Sequence, residues 1–146
     1  MTIKTFSKIL SANDVGATGG HQGGILIPKS EAELLAFLPP LNPAIKNPDA
    51  WIEGVDEHGN LRRFRFVYYN NRLHDAKGTR NEYRITYMTT YFRDMGASAG
   101  DIFEISGEAE KPSYIFRVIC QPKVPISPEE DQVLRIRITS SWRRVH

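Results

Sequence analysis

The stretch SANDVGATGGHQGG, residues 11–24, decides how the rest of the chain is interpreted. It holds five of the eleven glycines of the chain within fourteen residues, interleaved with small polar side chains. Such a run has no apolar face for a core, and glycine permits tight turns and close approach of the backbone to another molecule. We therefore predict a long, shaped loop, called here the first arm.

A second informative stretch is KGTRNEYRIT, Lys77–Thr86, called here the second arm. Its Arg80, Glu82 and Arg84 alternate at the spacing of a β-strand. Arginine binds the O6 and N7 atoms of guanine, and glutamate accepts from the N4 amino group of cytosine. Two arms on one small domain predict sequence-specific binding of double-stranded DNA.

Composition indicates one ordinary globular domain over residues 1–146, with 40% hydrophobic and 25% charged residues. No apolar run approaches the roughly 20 residues that span a bilayer, and the N-terminus lacks the apolar stretch of a signal peptide. We therefore expect no membrane association and a cytoplasmic location. A single cysteine excludes an intrachain disulfide, and we expect Cys120 to be a buried strand residue instead of a nucleophile.

Basic residues are concentrated between Leu61 and Arg84. This segment has seven basic and two acidic residues, a net charge of +5, whereas the rest of the chain sums to −3. A basic face suits a polyanion because phosphate neutralisation and counterion release supply much of the affinity. The alternative is a solvated strand face, which we favour for Arg62, Arg63 and Arg65.

Hydrophobic residues alternate with polar ones through most of the chain, which is typical of strands that bury one face. The predicted strands are Thr5–Leu10, Gly24–Pro28, Ala50–Val55, Phe64–Tyr68, Glu82–Met88, Asp101–Ser106, Tyr114–Cys120 and Leu134–Ile138. The pattern in Tyr114–Cys120 indicates burial on both faces, Gly59-Asn60 predicts a hairpin, and Gln121–Gln132 is predicted to be a surface loop.

Helical signals are few. Ser30 and Glu33 match a capping box before a short helix that ends at Pro39-Pro40, and a second turn is expected from Thr90 to Met95 with Gly96 after it. Many short strands with two small helices predict a mixed, mainly antiparallel barrel or sandwich.

Signatures of catalysis are weak. The phosphate-binding patterns GxxxxGK[ST] and GxGxxG are absent, and the four histidines lack the spacing of metal ligands. Pro48-Asp49 and Asp75-Ala76-Lys77 nominally satisfy the PD…(D/E)xK pattern of magnesium-dependent nucleases. Such short patterns are frequent by chance, so we expect no catalytic residues, no metal site and no cofactor in this domain.

The two arms together resemble the N-terminal effector domain of EcoRII-type restriction endonucleases. The resemblance rests on SANDVGATGGHQGGILIPK, residues 11–29, and YYNNRLHDAKGTRNEYRIT, residues 68–86, and it is strong over about 40 residues. It implies a DNA-binding pseudobarrel: an open seven-stranded-type β-barrel with two short helices, similar to plant auxin-response-type transcription factors, whose two arms grip the major groove. In EcoRII this domain binds the site CCWGG and regulates a separate nuclease domain.

The resemblance implies that residues Ser11–Gln22 form the first DNA-binding arm, with His21 a contact residue. With the base chemistry above, the expected site residues are Ser11, Asn13, Asp14, Thr18, Gly19, Gly20, His21 and Gln22, followed by Arg72, Lys77, Thr79, Arg80, Asn81, Glu82, Tyr83 and Arg84. Of these, Asn13, Thr18 and Lys77 suit phosphates more than bases, and Arg72 is a weaker candidate for the same role, as is Lys8 outside this set. The chain departs from the family at Gly78 and Tyr83, where the family arm has lysines, so the target site can differ from CCWGG.

We therefore predict the effector domain of a bacterial or archaeal type II restriction endonuclease, monomeric as an isolated domain, with magnesium needed only by a linked nuclease module outside this chain. Three alternatives stay open: a stand-alone DNA-binding regulator of the same fold, a small PD…DxK nuclease, and a barrel-type protein-interaction module.

Overall fold

The computed structural model describes residues 3–16, 24–108, 113–121 and 142–145. Its strands are β1 (Ile3–Ile9), β2 (Ile25–Ile27), β3 (Asp49–Val55), β4 (Leu61–Tyr69), β5 (Glu82–Thr86), β6 (Ile102–Glu108), β7 (Ser113–Ile119) and β8 (Arg143–Arg144). The helices are α1 (Ala32–Phe37), α2 (Asn71–His74) and α3 (Thr89–Asp94). The predicted strand Leu134–Ile138 and nearly all of the predicted loop Gln121–Gln132 lie outside the described residues.

All eight strands belong to one sheet, in the order β2-β5-β4-β3-β7-β6-β1-β8. Every neighbouring pair is antiparallel except β3 and β7. The two edges of the sheet meet at Trp142, which precedes β8 and whose Nε1–H donates to the Leu26 carbonyl of β2 at 3.2 Å. The sheet therefore curls into an incomplete barrel, and the predicted mainly-β pseudobarrel is confirmed.

Aromatic side chains fill the inside of the barrel. Phe64 and Phe116 lie 4.7 Å apart between ring centroids, and Trp142 meets Phe103 edge-on at 6.0 Å. The largest fully buried side chains are Tyr91, Phe64, Phe66, Phe92, Phe103, Phe116, Leu10, Ile25, Ile27, Leu34, Ile52 and Ile85. Because the alternating positions of most strands supply this core, the opposite positions are left for the outer face.

The turns follow the sequence signals closely. Gly59 adopts a φ of +80° in the β3–β4 hairpin, which confirms the turn predicted at Gly59-Asn60. Gly96 follows α3 at a φ of +65°, and the N–H groups of Gly96 and Ala97 donate back to the carbonyls of Arg93 and Phe92. This arrangement is a Schellman C-cap, so the predicted role of Gly96 is confirmed.

Three local expectations are wrong. The helix α1 begins at Ala32 with Glu31 as its N-cap, so Ser30 precedes the cap and Glu33 is the second helical residue, where it binds Lys4 and Arg144. Strand β7 buries only one face along its first half, and Ile115 is exposed. Cys120 is exposed and lies one residue after the end of β7.

Candidate nucleic-acid interface

The described start of the first arm is a compact turn around Asp14. The Asp14 carboxylate accepts from the Ser11 backbone N–H at 2.9 Å, and the Ser11 hydroxyl accepts from the Asp14 N–H at 3.1 Å. Lys8 of β1 binds the same carboxylate, and both charged side chains are buried. The structure therefore places Asp14 and Lys8 inside the base of the arm, where they shape it.

The remaining first-arm candidates Thr18, Gly19, Gly20, His21 and Gln22 lie outside the described residues. The arm is described again at Gly24, which has a φ of +76°. A Cβ atom on Gly24 would lie 2.0 Å from the Ile85 carbonyl oxygen of β5. Glycine is thus required both by conformation and by space, and it fixes the end of the first arm against the second.

Three charged side chains of the second arm form one hydrogen-bonded group. The Glu82 carboxylate accepts from Arg80 Nε at 3.2 Å and from Arg84 Nε at 2.7 Å. Arg84 also donates from Nη1 to the Gly24 carbonyl at 3.2 Å. Arg84 therefore connects the second arm to the end of the first.

The ionisation of Glu82 fits this arrangement. Burial by itself opposes the charged form of Glu82, but hydrogen bonds and charge from Arg84 and then Arg80 outweigh burial. The pKa of Glu82 consequently lies below its ordinary value. The carboxylate stays charged at neutral pH and holds both guanidinium groups before any ligand arrives.

Tyr83 points to the opposite face of β5. Its ring stacks on Tyr68 of β4 at a centroid distance of 4.2 Å, and on Phe66 at 5.8 Å. Burial raises the pKa of the Tyr83 hydroxyl. The Tyr68 hydroxyl in turn donates to the Asn81 side-chain oxygen. At this departure from the family, the tyrosine packs beneath the arm.

The connection between β4 and β5, residues 70–81, brings Arg72 together with the other candidates at the start of the second arm. Arg80 lies over the Tyr69 ring at 3.8 Å, its N–H donates to Asn71 Oδ1 at 2.8 Å, and its carbonyl accepts from the Arg72 N–H at 3.0 Å. Arg72, Lys77 and Thr79 are exposed. The connection presents basic side chains outward from a hydrogen-bonded backbone.

Close contact with the backbone of α2 requires a glycine at position 78. A Cβ atom there would lie 2.2 Å from the Asn71 carbonyl oxygen and 2.7 Å from the Arg72 nitrogen. The backbone of the connection therefore folds back on α2 in a way that no other residue allows without a shift. In this conformation a lysine at position 78, the residue expected from the family arm, does not fit.

Sequence reasoning missed Asn70, which is completely buried at the start of the connection. Its side chain binds the backbone of the segment before β3 at three points: Pro43 O, Ile45 O and Asn47 N. Its partners are 23 to 27 residues away along the chain. No local pattern predicts such long-range pairing.

The arginines of β4 contact acidic or aromatic side chains of the protein itself. Arg62 binds Asp56 at 2.8 Å and Asp94 at 2.9 Å, and Arg65 binds Asp49 at 2.6 Å. Arg63 covers the Trp51 ring at 4.1 Å. The basic segment is thus divided between paired arginines on the sheet and the exposed cations of the second arm.

The acidic residues of the PD…DxK pattern bind separate cations: Asp49 binds Arg65 and Asp75 binds Lys46. Within the part of the chain that the structure describes, no group of three or more histidine, cysteine, aspartate or glutamate side chains is arranged to hold a metal ion. Over the same residues, no helix has the length and apolar character needed to cross a membrane.

Comparison with known proteins identifies the family. The family model described as restriction endonuclease EcoRII, N-terminal, matches residues 1–125. The chain belongs to this family. Among curated proteins, the type II restriction enzyme EcoRII of Escherichia coli is 45% identical over 84 residues, which make up 56% of this chain and 20% of that enzyme. The match thus spans one fifth of the EcoRII length.

Two solved structures share the fold of this EcoRII N-terminal family member. The Arabidopsis FUS3–DNA complex aligns with a TM-score of 0.57 and 20% identity, covering 80% of this chain and 96% of that chain. The B3 domain of the UbaLAI restriction endonuclease with its cognate DNA aligns with a TM-score of 0.52 and 19% identity, covering 80% of this chain and 67% of that one. The pseudobarrel is therefore a B3-type fold.

Proposed function

We propose that this chain is a sequence-specific reader of double-stranded DNA that inserts its two arms into the major groove as the effector domain of a type II restriction endonuclease. The observation that carries this proposal is the Arg80–Glu82–Arg84 group, fastened to the end of the first arm through Gly24. Family membership supports it, and both B3-fold relatives named above were solved with DNA.

In this proposal the second arm reads G·C base pairs. Arg80 and Arg84 suit the O6 and N7 atoms of guanine, and the ionised Glu82 suits the N4 amino group of cytosine. Both arginines use their Nε atoms on Glu82, which orients the guanidinium groups together. Each well-made bidentate contact discriminates against a wrong base by about 1–3 kcal/mol. A short site flanked by C and G, such as CCWGG, fits this set.

Phosphate contacts would come from the exposed parts of the second arm and from the first arm. Lys77, Arg72 and Thr79 are exposed beside the base-reading group. Asn81 and Tyr83 support the arm from below through Tyr68. For the first arm we propose His21 and Gln22 at base edges, with Asn13, Thr18 and the amides of Gly19 and Gly20 on phosphates. Ser11 and Asp14 hold the base of that arm.

The proposal extends to the rest of the enzyme. A nuclease module linked to this domain would perform magnesium-dependent cleavage, and this domain would bind as a monomer in the bacterial or archaeal cytoplasm without a cofactor. Each described acidic residue of the PD…DxK pattern is already paired with a cation of its own, which disfavours a nuclease site in the domain itself.

The test is selection from a randomised duplex library at moderate salt, with magnesium present and cleavage monitored. We expect enrichment of a short C/G-flanked site without cutting. Weak, salt-sensitive binding without enrichment would overturn sequence-specific reading and favour the interaction module. Cutting by the chain alone would show that Asp49, Asp75 and Lys77 form a nuclease site after all.

A further inference from the structure

Hydrogen bonds hold the segment before β3, residues 42–47, against the β4–β5 connection, so that the two form one structural unit. The Asn70 amide nitrogen donates to Pro43 O at 3.2 Å and Ile45 O at 2.9 Å, while its Oδ1 accepts from Asn47 N at 2.7 Å. The Asn70 N–H donates to Asn47 Oδ1 at 3.1 Å, and His74 Nε2 bonds Pro43 O at 3.0 Å. Because Asn70 is fully buried, breaking these bonds would leave unpaired polar groups inside the protein.

This junction fixes the position of Lys46. Asn47 adopts a φ of +49°, a left-handed conformation that asparagine tolerates better than most residues. The turn leaves Lys46 exposed next to the connection, where its Nζ lies 2.5 Å from Asp75 Oδ2. Both side chains are about half exposed, at 52% and 47%, so their pairing contributes only about 0–1 kcal/mol to folding.

The unit formed by the segment before β3 and the β4–β5 connection is strongly basic. Residues 42–47 and 70–81 contain Lys46, Arg72, Lys77 and Arg80 against the single acidic Asp75, which gives 4 − 1 = +3. Lys46 is the only cation in the first of these two ranges. Lys46 belongs to a different part of the chain but lies beside the connection. Its ion pair with Asp75 there is weak.

We propose that residues 42–47 form a third DNA-contacting segment, in which Lys46 leaves Asp75 and binds a backbone phosphate next to those contacted by the second arm. This inference rests on the proposed DNA-reading function and adds a ligand contact to it. A phosphodiester can replace the carboxylate because DNA presents closely spaced charges whose neutralisation releases counterions, a gain that an isolated surface ion pair lacks.

The experiment compares Lys46→Gln and Asp75→Asn with a matched pair elsewhere on the surface. Lys4 and Glu33 supply that pair, with Nζ and Oε2 3.8 Å apart and exposures of 30% and 44%, and Glu33 also binds Arg144. Binding to a duplex that contains the selected site, and to a scrambled duplex, is measured by fluorescence anisotropy from about 50 to 200 mM salt. Each phosphate contact is worth about a three- to fourfold affinity change over this range.

We expect Lys46→Gln to weaken binding to both duplexes and to reduce the slope of log affinity against log salt by about one unit. Asp75→Asn should act in the opposite direction and strengthen binding, because it frees Lys46 for phosphate. Lys4→Gln and Glu33→Gln should leave the slope unchanged.

Two results would overturn the inference. An unchanged slope in Lys46→Gln removes Lys46 from the interface, and weaker binding by both Lys46→Gln and Asp75→Asn shows that their pair only supports the connection. Failure of the unmodified chain to prefer the selected duplex would instead refute the proposed function, so the two failures are distinguishable.

Discussion

At each end of β4 a carboxylate accepts hydrogen bonds from arginine side chains, but the two carboxylates differ in exposure. At its start, the β3–β4 hairpin is organised by Asp56, whose carboxylate accepts from His58 N, Asn60 N and Arg62 Nε. At its far end, the arm is organised by Glu82, which holds Arg80 and Arg84. The Asp56 side chain has no exposed surface, whereas that of Glu82 is 27% exposed and that of Arg80 38%.

The difference shows what each carboxylate does. Burial opposes the charge of Asp56, yet Arg62 and the N–H groups of Asn60 and His58 outweigh it and hold the pKa of Asp56 below its ordinary value. All of these bonds are internal to the turn, so this end of the strand serves stability. At the arm, Glu82 and Arg80 are partly open to solvent, whereas Arg84 is 18% exposed and bonded to Glu82 and Gly24.

The largest expected effect of a substitution is a loss of stability at the start of β4, where Asp56 is buried. Asp56→Ala should lower the free energy of unfolding by about 2–4 kcal/mol, because it leaves two turn amides and part of Arg62 without their acceptor. Chemical denaturation measures this loss, and DNA selectivity at a temperature where the variant is folded should be unchanged. A large loss of selectivity in the folded variant would contradict the separation of the two ends.

The second effect concerns the backbone of the arm. Gly78→Ala should reduce cognate DNA affinity by about 2–3 kcal/mol, since the new Cβ displaces the Asn71 carbonyl and with it the bonds that position Arg80. Gly59→Ala in the hairpin is the control: its φ is +80° with nothing within 4 Å, so it should cost about 1 kcal/mol of stability and no affinity. Equal affinities for the two variants would show that the observed arm geometry is not the binding geometry.

The third effect isolates one base contact. Arg80→Ala should cost about 1–3 kcal/mol on the selected duplex and much less on a scrambled one. Arg63→Ala is the matched control, because Arg63 also lies over an aromatic ring, Trp51, but on the sheet face. If Arg80→Ala weakened both duplexes equally, Arg80 would bind phosphate only.

The smallest effect is a dependence on pH in the free protein. The folded pKa of Glu82 is lowered, so its contribution is complete above the ordinary value of 4.5 and is lost as pH falls through the folded pKa below it. We expect the Nε–H signal of Arg84 in NMR spectra to keep its position down to about pH 4.5 and to shift below that, with a stability change of about 0.5–1 kcal/mol. Glu82→Gln should remove this shift, and a shift that persists in the variant would assign it to another group.

Much of the fold follows from local signals. Alternating residues indicated seven of the eight described strands within a few positions, and Gly59 and Gly96 marked a turn and a helix end because each adopts a positive φ. The helix α2 was not predicted, since four residues are too few for an apolar periodicity. The capping box failed because α1 begins one residue later than the Ser30–Glu33 pattern requires, and Glu33 instead binds Arg144, 111 residues away.

The sequence named candidate members of the site, whose contact with DNA stays a prediction, but it did not give their arrangement. The residue types of Arg80, Glu82 and Arg84 indicated base reading, but not that Arg84 reaches Gly24 across 60 residues. Asp14 was expected at the DNA, and the structure buries it with Lys8. The importance of Asn70 depends wholly on the segment before β3, so only the folded chain reveals it.

The contact between Trp142 and Leu26 has a consequence for synthesis of the chain. The two residues are 116 positions apart, so the edges of the sheet cannot be joined until nearly all of this sequence has left the ribosome. Pairings over such separations form late, because the chain loses the entropy of a long loop before it gains the contact. Until then the edge strand β2 lacks its contact with Trp142, and an edge without such cover is where a strand from another molecule is most easily captured.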